Sequence, residues 1–298
     1  MPDPLSDLLA HEGFQTGLLF GIVAALVVVV VVVVGRRSRP WAGAAFVLAG
    51  IAAVQDLYRV ETAAVAGLVL VIACGHVAAG RAPTLQLVAA VPGSVLFALA
   101  ADLDRPAWAV PAIVTTTLVG GLLVASFDRV LGPRGVAPVL LAVTTLGIYL
   151  TTPDTERSAI LLGAAVPVAL LSLPWPLATL GVGGSFAAAA LVAWDVAVDG
   201  VGRDGAVVGG LACLGMLVVE PVVRWAAQGR GIPPAPVPLR YAATVVALHV
   251  GVVAVCSRIG GLRSSAIAAL AVCAVAYVAA AAVLVVQTTR RPVAARVA

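Results

Sequence analysis

The chain has no lysine: all 18 of its basic residues are arginine, and charged residues of both signs fill only 11% of its 298 positions. Soluble domains carry about 25% charged residues, so this scarcity excludes an ordinary water-soluble domain. Long polar stretches are missing too. No break between apolar runs exceeds about 15 residues, which leaves no room for a nucleotide-binding domain, a soluble catalytic domain or a nucleic-acid module. The net charge of +4 does not alter this, because the arginines are scattered one to three at a time and form no basic stripe; no nucleic-acid partner is expected.

Cysteine is scarce. Cys74, Cys213, Cys256 and Cys273 each lie inside an apolar run, with no CxxC pair among them, so zinc ribbons and dithiol redox motifs are excluded. Cys74 has His76 two residues on, a spacing that turns the two side chains to nearly opposite faces of a helix. No metal and no cofactor is therefore expected, and the thiols read as small packing residues. Helix-interior positions rarely offer disulfide geometry. HExxH, GxSxG and Walker A patterns are absent, and Gly183-Gly184-Ser185 is no nucleophile elbow by itself. The acid-rich stretch Asp195-Val-Ala-Val-Asp199-Gly-Val-Gly-Arg203-Asp204 reads either as a cation site facing a lipid phosphate or as a hydrophilic loop, the second being simpler.

What remains is hydrophobic: 62% of the chain, in runs that recur from Thr16 to Val286. This pattern predicts an all-α polytopic membrane protein, a single transmembrane domain over 1–298 in a plasma membrane of bacterial type. Glycine, proline and charge clusters divide the chain into about eleven helices, with ten as the alternative: 16–34, 41–57, 62–79, 85–101, 107–127, 136–152, 158–173, 181–197, 206–225, 241–259 and 265–286. Segments 41–57 and 158–173 are short enough to be re-entrant.

Orientation follows from arginine. Asp3, Asp7 and Glu12 precede the first apolar run and Arg36, Arg37 and Arg39 follow it, which is the reverse of a cleaved signal peptide and places the N-terminus outside. The C-terminus then lies in the cytoplasm. All but six of the 18 arginines fall inside; Arg59, Arg105, Arg157, Arg203, Arg258 and Arg263 fall outside. The five tryptophans, Trp41, Trp108, Trp175, Trp194 and Trp225, come out at helix ends, where an amphipathic ring favours the interface.

One regularity recurs. Asp56-Leu-Tyr-Arg59, Asp102-Leu-Asp-Arg105 and Asp154-Thr-Glu-Arg157 close the second, fourth and sixth helices, with a looser Asp199 and Arg203 at the eighth. They suggest a weak helical-hairpin repeat of about 45 to 52 residues over 41–286. As chemistry, the pairs are either helix stops at the membrane surface or a charged rim around an opening.

Ionisable groups at membrane depth are the default site candidates. His249, about 12 Å along its helix from the nearer end at 1.5 Å per residue, reads as a proton acceptor or as a neutral ring donating to a carbonyl. Glu220 precedes Pro221, whose missing amide invites a kink, and it either lines a cavity with His249 or pairs with Arg224 one turn on. Asp195 beside Trp194 and His76 near a helix end read as pathway groups or as interfacial ones. Thr116, within Thr115–Thr117, and Thr145, beside Thr144, form either a polar seam or ordinary hydroxyl bonds to the preceding turn. Gly17 and Gly21 form a GxxxG, a weak association signal.

Three functional readings follow. The leading one is a transporter-like or permease-like protein with Glu220 and His249 in a proton-coupled or polar pathway. The second is a non-catalytic membrane subunit or scaffold, partnered by another membrane protein or by its own copy as well as by the bilayer. The third is an enzyme acting on a lipid-linked substrate at the outer face through Asp102, Asp154, Glu156 or Asp199. Glu220 and His249 meeting beside a polar cavity favours the first. Glu220 held by Arg224 and His249 held by a carbonyl in dry packing favours the second.

Overall fold

A computed structural model of the chain describes residues 4–35, 40–58, 60–101, 108–151, 156–172, 178–199, 203–228, 238–261 and 265–289. Among these residues every regular element is helical and none is a strand. The helices are α1 (Pro4–Ala10), α2 (Glu12–Gly35), α3 (Ala42–Tyr58), α4 (Thr62–Val77), α5 (Pro83–Ala100), α6 (Ala109–Thr115), α7 (Gly121–Leu131), α8 (Val136–Thr151), α9 (Glu156–Leu170), α10 (Val182–Asp199), α11 (Asp204–Ala212), α12 (Met216–Gln228), α13 (Leu239–Gly261) and α14 (Ala266–Thr289). A π turn, Thr116–Gly120, joins α6 to α7, so the two form one continuous rod.

Helices occupy all eleven apolar segments, but the expected count of eleven crossings is not supported. Among the described residues five helical stretches are long and apolar enough to cross a membrane: Glu12–Val34, Pro83–Ala100, Ala109–Arg134, Leu239–Gly260 and Ala266–Gln287. The bent pair α11 and α12 makes six if it counts as one span. Ala42–Asp56, Thr62–Val77, Val136–Thr151 and Val182–Val198 are apolar but shorter. Sixteen residues at 1.5 Å each reach only about 24 Å, against about 30 Å of hydrocarbon.

The short helix α10 is the axis of the bundle. Gly183 to Ala197 is buried without interruption, as befits a helix with apolar residues all round and Ser185 and Asp195 as its buried polar members. Around it pack α3, α4, α5, α7 and α11. Small residues allow this closeness: a Cβ on Gly184 would meet the backbone of Gly43, one on Gly183 would meet the Ile72 carbonyl, and one on Gly121 would meet Phe186. Lipid tails are as apolar as leucine, so helices in a membrane are held by such close packing more than by hydrophobic transfer.

The same device seats α2 on α9. Gly13, Gly17 and Gly21 form one stripe whose Cβ positions are taken by Glu156, Ile160 and Ala164, and Gly163 answers from α9 against the Phe14 carbonyl. The Gly17–Gly21 signal is thus used within the chain. Segments 41–57 and 158–173 correspond to the helices α3 and α9, and both pack against α2.

Before α10 the chain makes a tight approach governed by Asp128 of α7. Its carboxylate accepts the amides of Leu180 (3.0 Å) and Gly181 (2.8 Å). Gly181 has φ +72°, and a side chain there would run into Pro40. Trp194 corrects the tryptophan reading: it is 2% exposed, packed edge-on to Phe97 at 6.2 Å with the Arg157 guanidinium over its ring. Trp108 and Trp225 are 40% exposed. Trp175, Arg36, Arg37, Arg39, Arg59, Asp102, Arg105 and Asp154 lie outside the described residues, as does the side chain of Asp199, so the hairpin signature is seen only at Asp56, Glu156, Arg157 and Arg203.

Candidate functional site

The ninth segment, 206–225, is broken. Gly215 takes the left-handed conformation, φ +47°, and its amide turns back to the Ala212 carbonyl (3.0 Å), the way glycine commonly closes a helix. At Met216 the chain resumes as α12, bent 57° from α11. Proline is not the cause. Pro221, where a kink is expected, sits inside α12.

A break strands backbone groups, and in hydrocarbon each needs a partner. Three other helices supply them. From α8, the Thr144 hydroxyl donates to the Cys213 carbonyl (2.9 Å). From α14, Tyr277 donates to the Ala212 carbonyl (2.7 Å) and accepts the Gly215 amide (3.0 Å). From α13, His249 Nδ1 accepts the Met216 amide (3.1 Å). That acceptance leaves the ring proton on Nε2, which donates to the Leu140 carbonyl (3.0 Å) with Thr144 Oγ1 at 3.3 Å. His249 is fully buried, and both ring nitrogens are used.

One turn along α12, Glu220 is also fully buried. Its Oε1 lies 3.1 Å from Arg224 Nε and accepts the Tyr241 hydroxyl (3.2 Å), and its Oε2 lies 3.3 Å from Arg224 Nη2. Arg224 continues to α7, where the same Nη2 donates to the Ser126 carbonyl (2.9 Å) and hydroxyl (3.3 Å). Glu220 and His249 therefore hold different partners, and no hydrogen bond joins them among the described residues. The carboxylate has no solvent exposure of its own. It is neutralised in place.

The other candidates are dispersed. Asp195 is buried and accepts the Ser158 hydroxyl on Oδ2 (3.0 Å). His76 stacks on Trp41 with ring centres 5.2 Å apart. Thr116 opens the π turn and is half-buried; its neighbour Thr117 is the buried one and donates to the Ile113 carbonyl (2.6 Å). Thr145 donates to Ala142 (2.9 Å), so Thr144, not Thr145, reaches the break. The sequence reading missed Tyr277, Tyr241 and Gly215. Only Gly215, between an apolar run and Met216, carried a local signal, and 30 glycines hide it.

Grooves on the described surface include two between neighbouring helices. One, about 440 Å³, lies between α2 and α3 with apolar walls among the described residues; the other, about 380 Å³, lies between α4 and α5. Neither is lined by Glu220 or His249. Among the described residues no three His, Cys, Asp or Glu side chains gather as a metal set. No known protein family matches this sequence, and no curated protein shows significant similarity to it.

Proposed function

We propose that the chain is a non-catalytic membrane subunit: a multi-pass scaffold of about eleven helices, N-terminus outside and C-terminus cytoplasmic, in a plasma membrane. In this reading the short helices complete the bundle as crossings shielded by the longer ones, as α10, buried from Gly183 to Ala197, illustrates. One observation carries the proposal. The two ionisable groups best placed for a pathway are spent inside the protein, Glu220 on Arg224 and Tyr241 and His249 on Met216 and Leu140. A group so engaged sets the geometry of the bundle and offers nothing to a solute. The test is extraction of the tagged full chain from its native membrane in mild detergent, followed by native mass spectrometry. A second polypeptide, or a second copy, at fixed stoichiometry is expected; a solitary 29.8 kDa chain overturns the reading.

The broken helix favours a second reading, a transporter-like protein. Discontinuous helices at membrane depth are the usual site of solute and ion binding in secondary transporters, and the α11–α12 break is such a feature. On this reading Glu220 and His249 exchange their internal partners for a proton or solute during a transport cycle. Sealed proteoliposomes under an imposed pH gradient test it: proton flux through the wild type that is lost in Glu220→Gln supports it, and equal flux through both rejects it. No observation favours the lipid-linked enzyme reading.

A further inference from the structure

The turn from α4 to α5 closes at Gly80, φ +80°. Buried Gln86 pins it from beneath, its amide donating to the Arg81 carbonyl (2.9 Å). Arg81 is left exposed, lining the groove between α4 and α5. Among the described residues it is the one charged residue in that lining, and the remaining walls, among them Ala73, Val77, Leu85, Val88 and Ala89, are apolar. No acid among the described residues forms an ion pair with Arg81.

A free guanidinium beside an apolar trough is complementary to an amphiphile with an anionic head and a hydrocarbon tail. We propose that the α4–α5 groove binds an anionic phospholipid, with its phosphate on Arg81 and one acyl chain along Val77, Leu85 and Val88. Guanidinium binds phosphate through paired N–H donors. The depth is suitable: the Trp41–His76 stack lies at the same end of α4, and such aromatic groups mark the headgroup level. No side chain caps the start of α5, so the positive end of its dipole adds to the attraction there. A free phosphate would leave the apolar walls bare, so a lipid is the occupant. The α2–α3 groove makes the contrast, since it too is apolar but has no charged residue among the described residues of its lining.

The inference is independent of either reading of function. Its test is native mass spectrometry of the full chain after incubation with equal amounts of phosphatidylglycerol and phosphatidylcholine. Wild type is expected to retain the anionic lipid about fivefold over the zwitterionic one, the preference that one arginine near a membrane surface supplies. Arg81→Gln should fall to parity and Arg81→Lys should keep most of the preference. Ala89→Phe, which fills the trough, should lose both adducts. Undiminished preference in Arg81→Gln, or an undiminished phosphatidylglycerol adduct in a folded Ala89→Phe, overturns the proposal. Should Ala89→Phe fail to fold, the two Arg81 variants decide by themselves.

Discussion

Glu220 and Arg224 are unequal partners. The carboxylate is fully buried while the guanidinium side chain keeps 19% exposure, so removing the cation strands the more deeply buried charge. Arg224→Leu is expected to cost about 3–5 kcal/mol, the usual result of breaking a buried pair from one side. Glu220→Gln should cost about 1.5–3 kcal/mol, the range for a hydrogen bond to a charged group. Replacing both by leucine should recover most of the loss. Thermal unfolding of the purified proteins in detergent measures all three; equal costs for the two single variants would contradict the ranking. At this scale the sequence was half legible. Glu220 and His249 stand out because ionisable groups in apolar runs are costly, and Arg224 is one helical turn from Glu220. Tyr277 is invisible because it acts on Ala212 and Gly215, 65 and 62 positions away, and nothing local marks a phenol as a backbone cap. Asp128 is hidden likewise, because its two amide partners lie in another segment.

At the scale of elements, the location of the break is the clearest difference between sequence and structure. Proline is the familiar breaker, which drew the expected kink to Pro221; the observed break forms where Gly215 adopts positive φ and side chains from α8, α13 and α14 replace the lost helical bonds. A Cβ at Gly215 would lie 2.9 Å from His249 Nδ1, and the left-handed conformation itself costs a non-glycine residue about 1–2 kcal/mol. Gly215→Ala is therefore expected to lower stability by at least about 1 kcal/mol, and an unchanged melting temperature would count against this account of the joint. The glycine crossing of α2 and α9 gives a sharper test. Gly163→Leu has no space beside Phe14 and Leu18, and overpacking a tight site costs about 1–3 kcal/mol. Leucine at Gly251, where a Cβ meets nothing within 4 Å, is the control. Folded yield by size-exclusion chromatography should fall for the first and hold for the second.

For the molecule as a whole, the apolar runs told where helices form, because burial or lipid on all sides leaves a continuous hydrophobic record. They did not tell which helix is central. Runs facing lipid and runs facing protein have the same composition, so α10, buried from Gly183 to Ala197, reads in sequence like α14, most of whose apolar window is not buried within the protein. On the scaffold reading the broken helix, held by α8, α13 and α14, is a sealed structural element. Cys213 lies in the break and is fully buried, which makes it the reporter. With Cys74, Cys256 and Cys273 replaced by alanine, sealed membranes containing the variant would be treated from each side with a membrane-impermeant maleimide. The account predicts no labelling of Cys213 until the protein is unfolded. Labelling of the folded protein from either side would show that water reaches the break, and would contradict the scaffold in favour of a pathway.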